Sequence, residues 1–410
     1  MYRLKKVFIA NILLFLMILL LGCQNLTSFS EHSITIDMAS KYSLSSISEV
    51  HSANEGIFKA EISSSSSTSV KVTSVSEGDS SLIVKGVVSF SEYGNSYERT
   101  ILYSISVQHD GSINKKTLSD SYSSGYIDRA HSVFLFEMGD DSNTGRTEGQ
   151  PVKTLDRAIE LVNTYAEENG STDYNWSIYV YGTITCNTTI AELKPSSLTI
   201  QGLYDSGTAI LDGGNKGTVL TISTNQNIWL QILTIQNGVA SSGQGGAIYN
   251  NGQLYISDVT IRNNSATTGG AIYNNGSVYI ISGTIENNTA TIGGAIYSLN
   301  VFEIWSGDIV NNTATKKGSG LYINGFFYIK GDSYIHSNND LYLANGNQIL
   351  INDSLTHSGT VATITPENYT SGTQILVGSA VSEYYTKFAI TPEESGNAWG
   401  IDSAGKLMQP

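Results

Sequence analysis

The sequence has few cysteines, few prolines and few basic residues. It contains two cysteines and five prolines among 410 residues, and 22 basic residues face 36 acidic ones for a formal net charge of −14. Basic residues form no run beyond the first six positions. This acidic balance excludes nucleic acid as a partner, because a polyanion needs a basic surface. Low charge and many small polar residues favour an all-β exported protein.

The one long apolar run lies at the N-terminus and is typical of an export signal. Basic residues precede an apolar run from Val7 to Leu21, and Cys23 directly follows the small residue Gly22. This pattern predicts a lipoprotein signal peptide over residues 1–22, lipidation of Cys23 and attachment to the membrane through that lipid. An uncleaved anchor is the alternative. Gln24, in place of Asp, is compatible with delivery to the outer membrane. The second cysteine then has no disulfide partner.

A block of glycine, apolar and tyrosine residues recurs through the middle of the chain. GGAIYN begins at Gly245 and Gly269, returns as GGAIYS at Gly293, and is echoed as GSGLYI at Gly318, with starts 24, 24 and 25 residues apart. Short β-rich runs separate these blocks. A period this short without a helical pattern predicts a β-solenoid of about 24 residues per coil.

Apolar residues in fixed columns predict the inward face of this solenoid. One column is Leu230, Leu254, Val278 and Phe302, with Phe327 one residue late, and a second is Ile232, Ile256, Ile280, Ile304 and Ile329. A third column, on another face, is Ile248, Ile272, Ile296 and Leu321. A single coil cannot bury these residues, whereas stacked coils pack like residues on like.

Tyrosines stand between the apolar positions and should point outward by strand alternation. The candidate ligand-contact stripe consists of Tyr249, Tyr255, Tyr273, Tyr279 and Tyr297. Tyrosine side chains contact protein or sugar at little entropic cost. Stacking of like on like along a sheet face explains the same pattern without a ligand, so both interpretations stay open.

Asparagines form a further column at the corner of each repeat. Asn264, Asn288 and Asn312 each follow an apolar residue by three positions. Asn tolerates left-handed backbone in tight bends, and stacked amides bond to one another. We therefore predict a structural asparagine ladder, which explains the spacing better than glycosylation does.

The pairing of GGAI with an apolar-x-x-Asn element resembles the polymorphic outer-membrane protein repeat family, over roughly residues 230–340. The family's FxxN has isoleucine at Ile261, Ile285 and Ile309. The resemblance implies a right-handed parallel β-helix of the pectin-lyase-like class. Family members typically end in a membrane barrel, for which the segment after Leu343 is too short. We therefore expect a bacterial lipoprotein without the autotransporter barrel.

The rest of the chain completes the predicted organisation. Residues 23–56 form a Ser-rich tether, 57–138 a small antiparallel β module, 139–176 a loop and capping helix, 177–358 the β-helix of seven or eight coils, and 359–410 a C-terminal β cap. Leu155, Ile159 and Val162, between Pro151 and Gly170, have the spacing of an amphipathic helix. This helix should cover the open N-terminal end of the solenoid.

Catalytic and metal-binding groups do not converge in the sequence. Asp140, Asp141 and Asn143 could bind calcium, but without a twelfth-position Glu a hydrogen-bonded turn is favoured. Acids of the regular coils are each alone in their column, whereas glycosidases need two carboxylates about 5 to 9.5 Å apart. Lys316 and Lys317 have no acidic companion in register. We predict no catalytic residue, no metal site and no cofactor.

Together these features predict a monomeric β-helix that is lipid-anchored in the outer membrane and exposed at the cell surface. Its expected role is adhesion, or structure and binding in the cell envelope, with a host protein or polysaccharide as partner. The alternative is a carbohydrate-active enzyme of the pectin-lyase-like class, either a polysaccharide lyase or a glycoside hydrolase.

Overall fold

The chain divides into two compact units, Met1–Ser123 and Ser124–Pro410. A computed structural model describes residues 30–37, 46–64, 66, 68–90, 95–122, 129–203 and 209–409. The predicted signal peptide and Cys23 lie outside these residues. No helix of the described part is long and apolar enough to cross a membrane.

The described part of the first unit consists of antiparallel strands in two sheets. The strands are β1 (Ser33–Asp37), β2 (Ser46–Ser52), β3 (Phe58–Ile62), β4 (Ser69–Ser74), β5 (Gly78–Phe90), β6 (Asn95–Val107) and β7 (Ile113–Tyr122). One sheet has the order β1-β4-β3 and the other β2-β5-β6-β7. Alternating apolar residues bury Phe58, Val70, Val72, Leu82 and Val84 in its core.

Strands occur inside two segments that the sequence assigned otherwise. β1 and β2 lie within residues 23–56, the predicted tether, and the alternation that buries Ile36 explains β1. The segment Ser132–Phe136, within the predicted module 57–138, instead pairs in parallel with the second unit. All five of its residues are buried, so it is a fully covered strand of that unit.

The described part of the second unit contains two α-helices, two 3₁₀ helices (Arg129–His131 and Tyr385–Lys387) and many short strands. In chain order these are β8 (Ser132–Phe136), α1 (Leu155–Glu168), β9 (Asn175–Thr185), β10 (Thr188–Ile190), β11 (Ser197–Gly202), β12 (Ala209–Asp212), β13 (Leu220–Ile222), β14 (Asn227–Gln231), β15 (Thr234–Gln236), β16 (Val239–Gln244), β17 (Ile248–Asn250), β18 (Gln253–Ser257), β19 (Val259–Arg262), β20 (Ser265–Thr268), β21 (Ile272–Asn274), β22 (Ser277–Ile280), β23 (Gly283–Glu286), β24 (Thr289–Ile292), β25 (Ile296–Ser298), β26 (Val301–Ile304), β27 (Asp308–Val310), β28 (Thr313–Lys317), β29 (Leu321–Ile323), β30 (Phe327–Ile329), β31 (Tyr334–Ile335), β32 (Asp340–Leu343), β33 (Ile349–Leu350), β34 (Ala362–Pro366), β35 (Leu376–Val377), α2 (Val381–Tyr384), β36 (Phe388–Ile390), β37 (Gly400–Ile401) and β38 (Leu407–Met408).

These strands form a parallel β-solenoid, which confirms the predicted fold class. In one coil β17, β18, β19 and β20 follow one another, and each pairs in parallel with its counterpart one repeat later. We call the sheets through β17, β18 and β19 the first, second and third walls. The sheet of β16, β20, β24 and β28 is the short sheet.

The predicted apolar columns line the interior of the solenoid, with one shift of register towards its N-terminal end. Ile256, Ile280, Ile304 and Ile329 stack in register in the second wall and are at most 2% exposed. Leu230 pairs with Ile256, whereas the sequence aligned it with Leu254. The cause is a bulge in β16, which holds two more residues than β20 between paired positions. Ile232 consequently leaves its predicted column.

The solenoid has nine coils, because the first wall has nine strands. This exceeds the predicted seven or eight. β34 and β36, within the segment 359–410 assigned to the cap, pair in parallel and continue this wall. The hairpin of β37 and β38 follows them. The last coils differ in length from 24 residues, so a 24-residue period in the sequence does not indicate them.

Helix α1 lies at the N-terminal end of the solenoid, as predicted. Thr154 Oγ1 accepts a hydrogen bond of 3.3 Å from the Arg157 amide, and the chain leaves the helix through Gly170 at φ 59°. Leu155, Ile159 and Val162 are buried in the solenoid core. The helix thereby supplies the apolar contacts that a further coil would otherwise make.

The Gly-Gly pair of the repeat is required by backbone geometry. Gly269 has φ 65°, and a Cβ there would lie 2.2 Å from the Ile272 carbonyl oxygen. Gly245, Gly293 and Gly318 have the same left-handed backbone, with φ between 62° and 69°. Only glycine makes this turn between the short sheet and the first wall without strain.

Candidate ligand-contact surface

Five tyrosines stack along the outer face of the first wall. This long tyrosine file consists of Tyr249, Tyr273, Tyr297, Tyr322 and Tyr342, each on the strand next to the last. Neighbouring ring centroids are 4.7 to 5.4 Å apart and the ring planes differ by 1° to 6°. The three inner rings therefore have a tyrosine against both faces and the two end rings have one against a single face, while the edges and hydroxyls point away from the wall.

The long tyrosine file is less exposed than the sequence suggests. Tyr273 and Tyr342 are each 7% exposed. The short sheet lies beside these hydroxyls, since Gln244 is next to that of Tyr273 and Lys317 Nζ donates to that of Tyr342 at 2.7 Å. Burial raises the pKa of Tyr273 and Tyr342. These two hydroxyls therefore keep their protons at neutral pH.

A shorter aromatic file lies on the second wall. Trp229, Tyr255 and Tyr279 stack at 4.3 and 4.8 Å, with ring planes 11° apart. Glu303 follows Tyr279 in register and Tyr328 follows Glu303. The sequence indicated Tyr255 and Tyr279 but missed Trp229, because the bulge in β16 shifts Trp229 out of the 24-residue period.

Glu303 interrupts this short aromatic file with a charge that is neutralised locally. Its Oε1 lies 3.1 Å from Lys330 Nζ, and that ammonium lies 4.0 Å from the ring centroid of Trp305. Both charged side chains are mostly covered, at 20% and 29% exposure. The group is an ion pair stacked on an aromatic side chain, and it leaves no free carboxylate at this position.

The asparagine column forms a continuous buried stack. Asn264 Nδ2 donates to Asn288 Oδ1 at 2.9 Å, Asn288 Nδ2 to Asn312 Oδ1 at 2.9 Å, and Asn312 Nδ2 to Asn339 Oδ1 at 2.8 Å. These side chains also bond backbone groups of their own coil and of the preceding coil, as Asn288 does with the carbonyls of Glu286 at 2.9 Å and Ile261 at 3.0 Å. The stack is an interior structural element out of reach of ligands.

The left-handed residues of these corners are the asparagines one position earlier. Asn263, Asn287 and Asn311 have φ between 54° and 56°. From the spacing we predicted both the bend and the stack at the following residue. In the structure two neighbouring asparagines divide them, because the bend turns one side chain outward and the next inward.

A second buried polar stack was not predicted from the sequence. Asn250 Nδ2 donates to Asn274 Oδ1 at 3.0 Å, and Asn274 Nδ2 to Ser298 Oγ at 3.0 Å. All three are fully buried. The signal was present as the last letter of IYN, IYN and IYS at the same 24-residue spacing.

One cluster of titratable groups lies at the Tyr342 end of the long tyrosine file. Lys317 Nζ is 3.2 Å from Glu367 Oε1, so Lys317 has an acidic partner that is out of register with it and that the comparison of register positions missed. The hydrogen bond to Tyr342, together with Glu367, raises the pKa of Lys317. A backbone amide at Asn345 and Lys317 lower the pKa of Glu367. Nearby, burial raises the pKa of Asp340.

This cluster is poorly suited to general base catalysis. Lys317 stays protonated and Glu367 stays ionised at neutral pH, and each is already bonded to the other. A base at neutral pH needs a pKa close to the working pH and an unoccupied lone pair. The arrangement is that of an ion pair bridging separate coils.

The polar side chains of the loop before α1 make hydrogen bonds within the segment 140–154. Asp141 Oδ1 accepts from the amides of Lys153 and Thr154 at 2.9 Å each, and Asp140 Oδ1 accepts from Ser142. Asn143 Nδ2 donates to the Pro151 carbonyl at 2.9 Å. The structure therefore joins these residues as a hydrogen-bonded turn that holds the start of the helix.

Acids of the regular coils lie in register with uncharged or basic partners. Within residues 245–330, all of which the structure describes, Glu286 pairs with Arg262 and Val310, and Asp308 pairs with Thr284. Cys186 is 7% exposed, and burial raises the pKa of its thiol to about 12. These acids therefore do not form the pair of carboxylates that a glycosidase needs, and the buried Cys186 is not a reactive thiol.

Comparison with known proteins identifies the repeat. Residues 258–275 and 282–299 match the family model described as the Chlamydia polymorphic membrane protein repeat. Both matches lie in the regular coils and include the Gly-Gly turn and the corner asparagines. No curated protein and no solved structure matches the chain. The chain is a β-solenoid that carries repeats of this type.

Proposed function

We propose that this protein is an exported, lipid-anchored β-solenoid of the bacterial outer membrane that acts in adhesion or as a binding scaffold of the cell envelope. The observation that carries the proposal is the long tyrosine file on a solenoid of polymorphic membrane protein repeats. Repeat solenoids commonly use one face for partners, and rows of tyrosine are frequent in binding surfaces.

The stacking restricts how such a surface meets its partner. Ring faces are occupied by neighbouring rings, so a sugar cannot lie flat on a ring within the file. Contact is made through ring edges and through hydroxyls that recur about once per coil, near the ~4.8 Å spacing of strands. Because the stripe presents aromatic edges and hydroxyls in place of carboxylates or ammonium groups, a neutral polysaccharide or an uncharged protein surface is the matching partner class.

The alternative, a carbohydrate-active enzyme, rests on the cluster of Lys317, Tyr342 and Glu367. Its protonation states oppose that role, since the lysine is held protonated and the carboxylate is paired. We therefore place no catalytic residue there. Turnover of a polysaccharide that is lost in Glu367→Gln would establish the enzyme.

Removing hydroxyls without removing rings tests the binding surface. Tyr249, Tyr255, Tyr273 and Tyr279 are changed together to phenylalanine, which retains the stacks, and separately to serine, which removes them. Binding to host cells and to a panel of neutral and acidic polysaccharides is then measured. We expect the phenylalanine variant to keep the β circular dichroism of wild type and to lose at least about tenfold in affinity, about 1.4 kcal/mol.

The matched control is Tyr174→Phe, which changes an exposed tyrosine outside both files. Binding of the four-fold serine variant at wild-type strength would refute a role of these tyrosines in contact. Protease treatment of intact cells tests the location, because an adhesin must be cleaved from outside.

A further inference from the structure

We propose that the long tyrosine file is a site of oxidative cross-linking, in which neighbouring coils become joined by dityrosine under a peroxide-driven one-electron oxidant. The proposal is independent of any ligand. It follows from the placement of tyrosines on adjacent strands with like orientation.

The pair Tyr297 and Tyr322 has the most favourable geometry. Its ring centroids are 4.7 Å apart and the ring planes differ by 1°. Both side chains are only half-buried, so their outer rims are open to a small oxidant. Since Ile296 pairs with Leu321 in the same ladder, the two backbones are held at strand spacing while the rings approach.

The reaction balances with peroxide as the oxidant. Each phenol loses one electron and its hydroxyl proton to give a phenoxyl radical. Two neighbouring radicals form one bond between ortho carbons, and each coupled carbon then releases its hydrogen, which returns the proton to oxygen. Two tyrosines thus give one dityrosine, two protons and two electrons. Hydrogen peroxide takes up both and becomes two molecules of water.

The file favours coupling within one molecule over coupling between molecules. A radical formed on any of the five rings already has another tyrosine ring within 5.4 Å. Tyr174 provides the contrast, because it is 56% exposed and stacks on His131 at 4.5 Å. Among the described residues no tyrosine ring stacks on Tyr174, so an oxidised Tyr174 has no stacked coupling partner there.

The Tyr342 end of the file offers a second coupling pair. The hydroxyl of Tyr342 accepts a hydrogen bond from Lys317 Nζ at 2.7 Å. Tyr342 stacks on Tyr322 at 5.2 Å, so a radical formed there has a coupling partner in the next coil.

Coupling Tyr297 to Tyr322 would tie two successive coils covalently. The bond closes the chain between them in the unfolded state, which reduces its entropy as a disulfide does. A solenoid whose coils otherwise touch only their neighbours gains resistance to fraying. The chain's two cysteines cannot supply this if Cys23 carries lipid.

The test treats dilute full-length protein with hydrogen peroxide and a haem peroxidase. We expect dityrosine fluorescence in a product of monomer size, and a cross-linked peptide that joins Tyr297 to Tyr322 with the loss of two hydrogens. The double variant Y297F/Y322F, which keeps both rings, should lose this peptide. The cross-linked wild-type monomer should melt at a higher temperature than the treated variant.

Two controls make the outcome decisive. Tyr174→Phe should leave the peptide unchanged, and treatment in concentrated urea should abolish it, because unfolding separates the coils. Dityrosine found only in dimers, or a Tyr297–Tyr322 peptide formed equally well in urea, would overturn the proposal. Oxidation of Tyr174 without any dityrosine in the monomer would overturn it as well.

Discussion

Replacing Asn288 by alanine tests whether the asparagine stack holds the coils together. Asn288 is fully buried, and its side chain has five partners within hydrogen-bond distance. The two hydrogens of Nδ2 are shared among Asn312 Oδ1 and the carbonyls of Ile261 and Glu286, and Oδ1 accepts from the amide and from Nδ2 of Asn264.

The expected loss of stability follows from these partners. Each buried hydrogen bond contributes about 0.5–1.5 kcal/mol net, and a partner left unsatisfied adds to the cost. Some partners relax, or bond to water that enters the space left by the amide. We therefore expect Asn288→Ala to lower the free energy of unfolding by about 3–5 kcal/mol.

The neighbouring residue provides a matched comparison. Asn287 has φ 56° and bends the chain instead of bonding along the stack. Asn287→Ala should cost about 1–2 kcal/mol, the strain of a left-handed residue with a Cβ, and Asn287→Gly only a few tenths of a kcal/mol.

The assay is urea unfolding followed by tryptophan fluorescence. All four tryptophans lie in the second unit, so the signal reports on the solenoid alone. Hydrogen exchange at the Asn264 amide adds a local measurement, because Asn288 Oδ1 accepts from it at 3.0 Å. If Asn288→Ala unfolds at the wild-type midpoint, or costs less than Asn287→Ala, the stack does not stabilise the coils as argued.

Five other changes have defined outcomes. Cys23→Ser should release the protein from membranes into the soluble fraction, and a variant that still partitions with detergent would contradict lipidation. Ile280→Asp should unfold the solenoid by burying a charge, whereas deletion of residues 269–292 should leave a shorter folded solenoid, as circular dichroism would show. Gly269→Ala should destabilise the turn by at least about 1 kcal/mol in the same urea assay, since its backbone is left-handed. Burial raises the pKa of Asp340, so the unfolded state ionises first and stability declines as pH rises from the unfolded value of about 3.9 through the folded one. Asp340→Asn should therefore be more stable than wild type at pH 7, and this advantage should shrink towards pH 3; equal pH profiles would refute the burial argument.

The sequence was sufficient for the fold wherever the repeats are regular. Ile256, Ile280 and Ile304 recur at one spacing, and stacking like on like needs that spacing alone. The prediction failed where coil length changes. Two extra residues in β16 moved Leu230 into register with Ile256, and the coils through β34 and β36 follow no constant period. A bulge of this kind depends on backbone pairing that no residue pattern specifies.

The ligand-contact surface was predictable only in part, because its contacts also depend on how the chain turns between coils. Strand alternation places the stripe tyrosines outside the core, but it does not show that Gln244 and the short sheet lie against Tyr273. That contact depends on how the chain turns back at Gly245. The pair of Lys317 and Glu367 joins residues 50 positions apart, from coils of unequal length, so no local spacing reveals it.

The parallel ladders between coils also determine how the protein behaves under tension. Their hydrogen bonds run along the solenoid axis, so a force pulling on one end loads the last ladder first and peels off one coil at a time. A released coil of about 24 residues extends to roughly 80 Å at ~3.3–3.6 Å per residue, against the ~4.8 Å it occupied when stacked. Because each coil contacts only its neighbours, the remainder stays folded while the free segment lengthens. Such a molecule yields to a sudden pull by lengthening in steps, and a bond at its far end experiences a lower peak force than it would at the end of a rigid rod.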